Sequence, residues 1–340
     1  MKKIRLGRTG LMVTKPAFGV LPLQRVEMNE AVQILRKAYD HGINFYDTAR
    51  AYSDSEEKIG RALSEVRKHI IIATKTQARK KETLEQHLET SLKTLKTDYI
   101  DIYQFHNHEK LPEGEGPDSL YEAMLKAREK GQIRFIGITN HRRPVASEAV
   151  DSGRFDTVQF PLSLLATEED LQLVEAAQKA DVGFIAMKAL SGGLITNIPA
   201  AVAFLNQYEN VAPIWGIQRE TELDQFIELE KHPPLLDEAM QKAIEKDRAE
   251  LAGDFCRGCG YCMPCPVEIP INMAARMSLM LMRSPYQRFL EDDWKAQMMK
   301  IEDCTECESC KEQCPYNLNT PELLKQNLAF YKDFYARHKG

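Results

Sequence analysis

From residue 16 to residue 231 the sequence alternates short apolar runs with helix-period segments, and this rhythm limits the available folds more than any other feature. The expected strands are Pro16–Gly19, Asn44–Asp47, Ile70–Lys75, Ile100–His106, Ile133–Thr139, Thr157–Pro161, Gly183–Lys188 and Ala212–Gln218. Between them lie amphipathic stripes such as Ala31, Ile34, Leu35 and Ala38, or Leu84, Leu88, Leu92 and Leu95 with Lys and Glu on the outer face. Further helices are expected over 119–130, 143–152, 167–180, 198–206 and 221–231. A strand-then-helix unit repeated eight times in roughly 230 residues matches an α/β fold of the (β/α)8 TIM-barrel type in number and size. A doubly wound sheet would need fewer strands and a glycine-rich phosphate turn after the first. Neither G-x-G-x-x-G nor G-x-x-x-x-G-K is present, so any nucleotide has to be held another way. Residues 4 to 15, alternating around Gly7 and Gly10, read as an N-terminal β-hairpin.

The rhythm ends at His232-Pro233-Pro234, which stops the eighth helix. A charged helix, Asp237–Leu251, then leads to Gly253. The expected domains are therefore a barrel over 1–232, a helical linker over 233–255 and a small, mostly helical domain over 256–340. All eight cysteines and seven of the 13 methionines fall in the last of these. A net charge of -5 argues against a dedicated nucleic-acid binder. No apolar run approaches 18 residues, so no membrane span is expected. Met1-Lys2-Lys3-Ile4-Arg5 begins like a signal peptide, but Arg8, Thr14 and Lys15 interrupt any apolar core that would follow. The reading is cytoplasmic, where thiols stay reduced and clustered cysteines suggest metal rather than disulfides.

In a barrel of this kind the chemistry sits at the C-terminal ends of the strands. Four polar residues fall there in order: Asp47 ends the second strand, Tyr52 follows in its loop, Lys75 ends the third and His106 the fourth. A phenol titrates near 10, too high for an efficient acid at neutral pH, and a neighbouring ammonium lowers that value. A carboxylate keeps the ammonium charged in a buried site, and an imidazole can donate a hydrogen bond to a substrate oxygen. Taken singly, Asp47 and Lys75 could be a rim salt bridge, Tyr52 ordinary loop packing and His106 a satisfied core histidine, with His108 the functional one. The four in this order make a proton-transfer group.

At these residues the chain resembles the aldo-keto reductase family. The resemblance is carried by Phe45-Tyr46-Asp47-Thr48-Ala49 with Tyr52, Ser55-Glu56 and Gly60, by Lys75 after a β-branched strand, by His106, and by the segment Gly131–Asn140; it covers roughly residues 3 to 230. It implies NADPH-dependent reduction of an aldehyde or ketone, with Tyr52 as general acid, Lys75 and Asp47 as its tuning pair and His106 orienting the carbonyl. By matching position it puts Thr139, Asn140 and Gln159 on the nicotinamide carboxamide. The loop containing Lys188, Leu190, Gly192 and Gly193 falls near the pyrophosphate, and Gly216, Gln218 and Arg219 at the adenosine end, where Arg219 could pair with a 2′-phosphate. Family members often carry Asn near the position of Phe226, so NADH stays open beside NADPH. The loops at Leu21-Pro22-Leu23 and 109–118 carry no motif that names a substrate.

The tail reads Cys256-x2-Cys259-x2-Cys262-x2-Cys265-Pro266 and Cys304-x2-Cys307-x2-Cys310-x3-Cys314-Pro315. Three thiolates at successive x2 spacings suit three corners of a cubane, and a fourth followed by Pro commonly ligates the other cluster in two-cluster ferredoxins. Cys256, Cys259 and Cys262 are therefore paired with Cys314, and Cys304, Cys307 and Cys310 with Cys265. The first quartet has x2 where the bacterial pattern has x3 before its last cysteine. Zinc is the rival, though four-thiolate zinc sites usually use two separated C-x2-C knuckles. The tail resembles a bacterial-type ferredoxin module with two 4Fe–4S clusters. Its helices are expected over Ile271–Met282, Pro285–Lys300 and Pro321–Tyr335, with Met273, Met277 and Met280 filling the core from one face.

A nicotinamide gives two electrons at once and a cubane takes one, and no flavin signature bridges them. The expected activity is thus carbonyl reduction in the barrel. The alternatives are an electron relay linking a ferredoxin-type one-electron carrier to the barrel through the clusters, and a non-catalytic redox sensor.

Overall fold

The computed structural model describes every residue except 115, 117, 118, 252 and 340, so part of the expected 109–118 loop lies outside the described residues. The hairpin forms from β1 (Lys3–Arg5) and β2 (Met12–Thr14), antiparallel with Ile4 opposite Val13. Eight parallel strands follow: β3 (Ala17–Gly19), β4 (Phe45–Asp47), β5 (Ile71–Thr76), β6 (Ile100–His106), β7 (Ile133–Thr139), β8 (Thr157–Pro161), β9 (Gly183–Met187) and β10 (Val211–Gly216). They pair in chain order, and β10 closes on β3 to complete a barrel. Every residue of β6 is buried, because the helices cover the outer face of the barrel and side chains fill its interior.

Alternation along the strands sorts the interior into layers. Ala17, Phe45, Ile71, Ala73, Ile102, Ile185, Ala212 and Ile214 form an apolar cluster with Ile4, Leu6, Leu11 and Val13 of the hairpin segment. Two residues further along the same columns the chemistry changes: Asp47 succeeds Phe45, Lys75 succeeds Ala73, and Gln104 and His106 succeed Ile102. The interior is therefore apolar at the N-terminal end of the strands and polar at the C-terminal end.

Most helices fall within a residue or two of their expected limits, for example Leu120–Glu129 and Glu168–Lys179. Helix Ser55–Leu63 was not foreseen as a separate element. It packs backbone-close on helix Lys81–Leu95: a Cβ at Gly60 would stand 2.2 Å from the Thr94 carbonyl oxygen, so only glycine fits. The tail helices are more broken than their periodicity suggests. The expected helix 271–282 divides into Ile271–Ala274 and Met277–Arg283. Asn327 satisfies the groups this break exposes, accepting from Ser278 N at 2.8 Å and donating to Ala275 O at 3.2 Å. The expected 285–300 likewise divides, into a short 3-10 turn at Gln287–Leu290 and helix Asp292–Met299. Among the described residues no helix is long and apolar enough to cross a membrane.

The chain forms two compact units, Met1–Ala189 with Pro199–Gln241, and Leu190–Ile198 with Lys242–Gly340. Their division falls within helix Glu238–Glu250, and the loop segment after β9 groups with the tail. Within this second unit Arg276 donates to Gly192 O at 3.1 Å and Arg283 to Leu194 O at 2.8 Å. Arg283 also pairs with Asp247 and Glu250. The long helix Thr320–Lys339 supplies Leu324, Leu328, Tyr331 and Phe334 to a core shared with Met277, Trp294 and Met298. Met277 is fully buried and Met273 and Met280 pack against the same core, so this stripe is core filling.

Candidate active site

The polar end of the barrel is built around an ion pair. Lys75 Nζ donates to Asp47 Oδ1 at 2.6 Å and to the Thr48 carbonyl at 2.6 Å. Lys75 is 1% exposed and Asp47 3%. Burial pushes the carboxyl up and the ammonium down, and each is opposed by the charge of the other. The side chains of Gln159 and Gln104 add weak donors to the same carboxylate, at 3.4 and 3.5 Å.

Tyr52 sits on a loop that the barrel holds by its backbone. Thr48 N bonds Ala73 O at 2.8 Å, Arg50 N bonds Lys75 O at 3.0 Å, and Ser55 N bonds Tyr52 O at 2.8 Å. Behind the loop, Glu56 is buried, accepts from Thr74 Oγ1 at 2.7 Å and pairs with Arg50. This pins the start of helix Ser55–Leu63 to the strand that bears Lys75. The Lys75 ammonium consequently lies 5.3 Å from the centre of the half-buried Tyr52 ring. The His106 ring meets the same phenol edge-on, 5.8 Å between centroids. All four residues of the expected proton-transfer group are thus brought together.

Burial, with Lys75, Arg79 and His108 adding repulsion, holds His106 at about 3, so its ring is neutral in the physiological range. His108 is also held at about 3, by burial and Arg79. It packs against Phe105 at 5.3 Å, and its carbonyl accepts from Asn140 Nδ2 at 2.6 Å. His106, rather than His108, is the imidazole that faces Tyr52.

Of the residues expected at the cofactor, Thr139 and Gln159 stand in one register row with His106 across β6, β7 and β8. Asn140 is fully buried, and its side chain both donates to His108 O and accepts from Arg142 N at 2.8 Å, tying two strand-end loops. Lys188 takes a left-handed φ of 58° just past β9. Gly216 ends β10, opposite Gly19 of β3. Gln218 N bonds Glu222 Oε2 at 2.8 Å, and Arg219 is exposed and paired with Glu222 Oε1 at 3.0 Å. Leu190, Gly192 and Gly193 belong to the second unit. Phe226 is buried on Trp215, ring centroids 4.7 Å apart, so that position offers an aromatic ring and no polar group.

Two buried polar residues at this site have no role assigned from the sequence. Gln104 lies inside the barrel, fully buried, one alternation before His106, and that period-two spacing was a signal that could have found it. Glu56 is a carboxylate on the buried face of a helix, flanked by Ser55, Ile59 and Gly60.

In the second unit one cavity is lined by Cys262, Cys265, Cys304, Cys307 and Cys310. Burial raises the Cys256 thiol, and Cys259 and Cys314 are the neighbouring thiols that add to the effect. Burial pushes Cys262 up to about 12, and Cys256, Cys259 and Cys310 add to the rise. Cys314 thus neighbours the first quartet, while Cys262 has neighbours in both. The two quartets also fold alike. The residues before and after the second cysteine of each take left-handed φ: Gly258 (62°) and Gly260 (82°) in one, Glu306 (53°) and Glu308 (58°) in the other. Such alternation turns backbone N–H groups into a concavity of the kind that anionic Fe–S groups occupy. Gly258 N donates to Cys256 Sγ at 3.4 Å, and Ser309 lowers the Cys307 thiol by hydrogen bonding. Among the described residues no three ligating side chains converge as they would on a single ion. The thiolates of a cubane sit on separate irons and need no such convergence. The residues present fit two such clusters.

Comparison with known proteins agrees with both halves. Residues 255–319 match the profile of the 4Fe-4S dicluster domain. An uncharacterized oxidoreductase of Bacillus subtilis, YqkF, is 31% identical over 226 residues, 62% of this chain and 72% of that protein. The L-galactose dehydrogenase of Arabidopsis thaliana is 31% identical over 210 residues, 56% of this chain and 66% of that one. The aldo-keto reductase AKR11C1 from Bacillus halodurans, in its holo form, shares the fold. Its TM-score is 0.64 at 23% identity, covering 73% of this chain and 96% of that one. Residues 17–201 match the profile of the aldo/keto reductase family, and the chain belongs to that family of oxidoreductases.

Proposed function

We propose that the barrel reduces an aldehyde or ketone to the alcohol with NADPH. The observation that carries this reading is the Lys75 ammonium held between Asp47, at 2.6 Å, and the ring of Tyr52, at 5.3 Å. When bound, NADPH supplies the hydride. Tyr52 donates its hydroxyl proton to the carbonyl oxygen and recovers one from solvent. The Lys75 charge stabilises the phenolate left behind, and Asp47 keeps that charge in place where water is excluded. His106, neutral as described, donates an N–H to the carbonyl oxygen and orients it. Thr139 and Gln159 would hold the carboxamide. Arg219 would reach the 2′-phosphate, in competition with Glu222. The test is oxidation of NADPH, and separately of NADH, against a panel of aldehydes and ketones. No carbonyl-dependent oxidation of either would contradict the proposal.

In the tail, Cys256, Cys259, Cys262 and Cys314 would hold one 4Fe–4S cluster and Cys304, Cys307, Cys310 and Cys265 the other, each supplying one-electron exchange. Iron and acid-labile sulfide in an anaerobically prepared sample decide between two four-iron clusters and zinc.

A further inference from the structure

Gln104 is a fully buried amide at the polar end of the barrel with no part in the proton-transfer group. Its Nε2 lies 2.9 Å from Gln159 Oε1 and 3.5 Å from Asp47 Oδ2. Gln159 Nε2 in turn lies 3.4 Å from Asp47 Oδ1. Proton logic fixes the direction of all three contacts. An ionised carboxylate only accepts, so both amide nitrogens face Asp47. With its nitrogen committed there, Gln159 turns its oxygen toward Gln104, which spends one N–H on that oxygen and the other on Asp47. Gln159 is left with one N–H and one lone pair. That donor–acceptor couple is what a primary carboxamide complements.

The fold makes room for this arrangement at one glycine. Gln104 pairs with Gly137 in the sheet register, and a Cβ at Gly137 would stand 2.9 Å from Gln104 Cγ and 2.3 Å from Thr157 Oγ1. A larger residue there would have to displace the Gln104 stem or the Thr157 hydroxyl. The two N–H groups of Gln104 are used entirely on Asp47 and Gln159.

We infer that Gln104 is a positioning residue that locks the Gln159 amide in one orientation, referenced to Asp47, so that Gln159 recognises the carboxamide of the nicotinamide ring. The inference rests on the cofactor reading of Gln159 given above. It makes Asp47 serve two ends, the charge of Lys75 and, through Gln104, the donor pattern shown to the cofactor.

The test compares wild type, Gln104→Met, Gln159→Leu and the double variant. Met keeps the length and volume of Gln, and Gln104→Leu provides a second shape should Met perturb folding. Dissociation constants are measured by fluorescence titration without carbonyl substrate, for NADPH and for its reduced 3-acetylpyridine analogue, which lacks the carboxamide N–H. Gln104→Met is expected to weaken NADPH about three- to tenfold while changing the analogue little, so that discrimination between the two narrows. The double variant is expected to bind NADPH no more weakly than Gln159→Leu alone, because Gln104 acts through Gln159. If Gln159→Leu binds weakly but Gln104→Met binds like wild type, or if the two losses multiply, the inference is overturned and the cofactor reading stands. If Gln159→Leu itself binds like wild type, the cofactor reading of Gln159 falls and this inference falls with it.

Discussion

Lys75 and Asp47 face each other at 2.6 Å, both all but sealed from water, at the one end of the barrel interior that is polar. A buried pair of this kind contributes little net stability, but losing one partner strands the other. Lys75→Met is therefore expected to lower the unfolding free energy by about 3–5 kcal/mol. The double variant Asp47→Asn/Lys75→Met should regain most of that loss in chemical denaturation and still fail to reduce carbonyls. A double variant as unstable as the single one would show that the lysine stabilises by packing rather than by charge.

The buried imidazoles set a pH dependence of stability. Native His106 and His108 are both held at about 3, whereas an unfolded chain binds those protons near 6.5. Between these values the unfolded state carries more protons than the native one. The stability they contribute is thus complete above about 6.5 and is lost as pH falls toward 3. Denaturation of wild type and His108→Asn across this window should show a flatter acid dependence for the variant. Parallel curves would mean that His108 is not held neutral in the native state.

The cluster grouping can be read from iron content. If Cys314 belongs with Cys256, Cys259 and Cys262, then Cys256→Ser and Cys314→Ser each remove one cluster, and together they remove no more. Cys304→Ser combined with Cys314→Ser should remove both. The reverse outcome, with Cys304 and Cys314 acting as one unit, would assign each quartet its own cluster.

Arg219 is paired with Glu222, which limits its hold on a 2′-phosphate. Arg219→Ala is expected to cut the NADPH-over-NADH preference by about tenfold, and Glu222→Gln to raise it. Unchanged KM ratios in both variants would remove Arg219 from the cofactor site.

The barrel was legible because most of its strands and helices carry their period in full: Ile100–His106 and Ile133–Thr139 run as expected to the residue, whereas the short helix Ser55–Leu63 does not announce itself. Asp47, Lys75 and His106 were legible for the same reason, as polar residues closing apolar strands. Gln104 was not, because a polar residue flanked by Tyr103 and Phe105 looks like ordinary alternation until the inward direction of His106 is known. The tail was legible in its cysteines and not in its helices. Met273, Met277 and Met280 suggest one continuous stripe, whereas the chain breaks at Ala275–Arg276 because Asn327, some 50 residues away in sequence, meets the exposed backbone groups. Nor did sequence order foresee that Leu190–Ile198 groups with the tail, since that depends on Arg276 and Arg283 reaching the carbonyls of Gly192 and Leu194.

In the proposed reduction Tyr52, tuned by Lys75, delivers the proton to the carbonyl oxygen. The most direct test of this step is the rate of aldehyde-dependent NADPH oxidation by wild type and Tyr52→Phe at saturating cofactor, with NADPH affinity measured alongside. A fall in kcat by a factor of about 100 or more, with cofactor binding retained, is the expected result. Equal rates for the two proteins would contradict it.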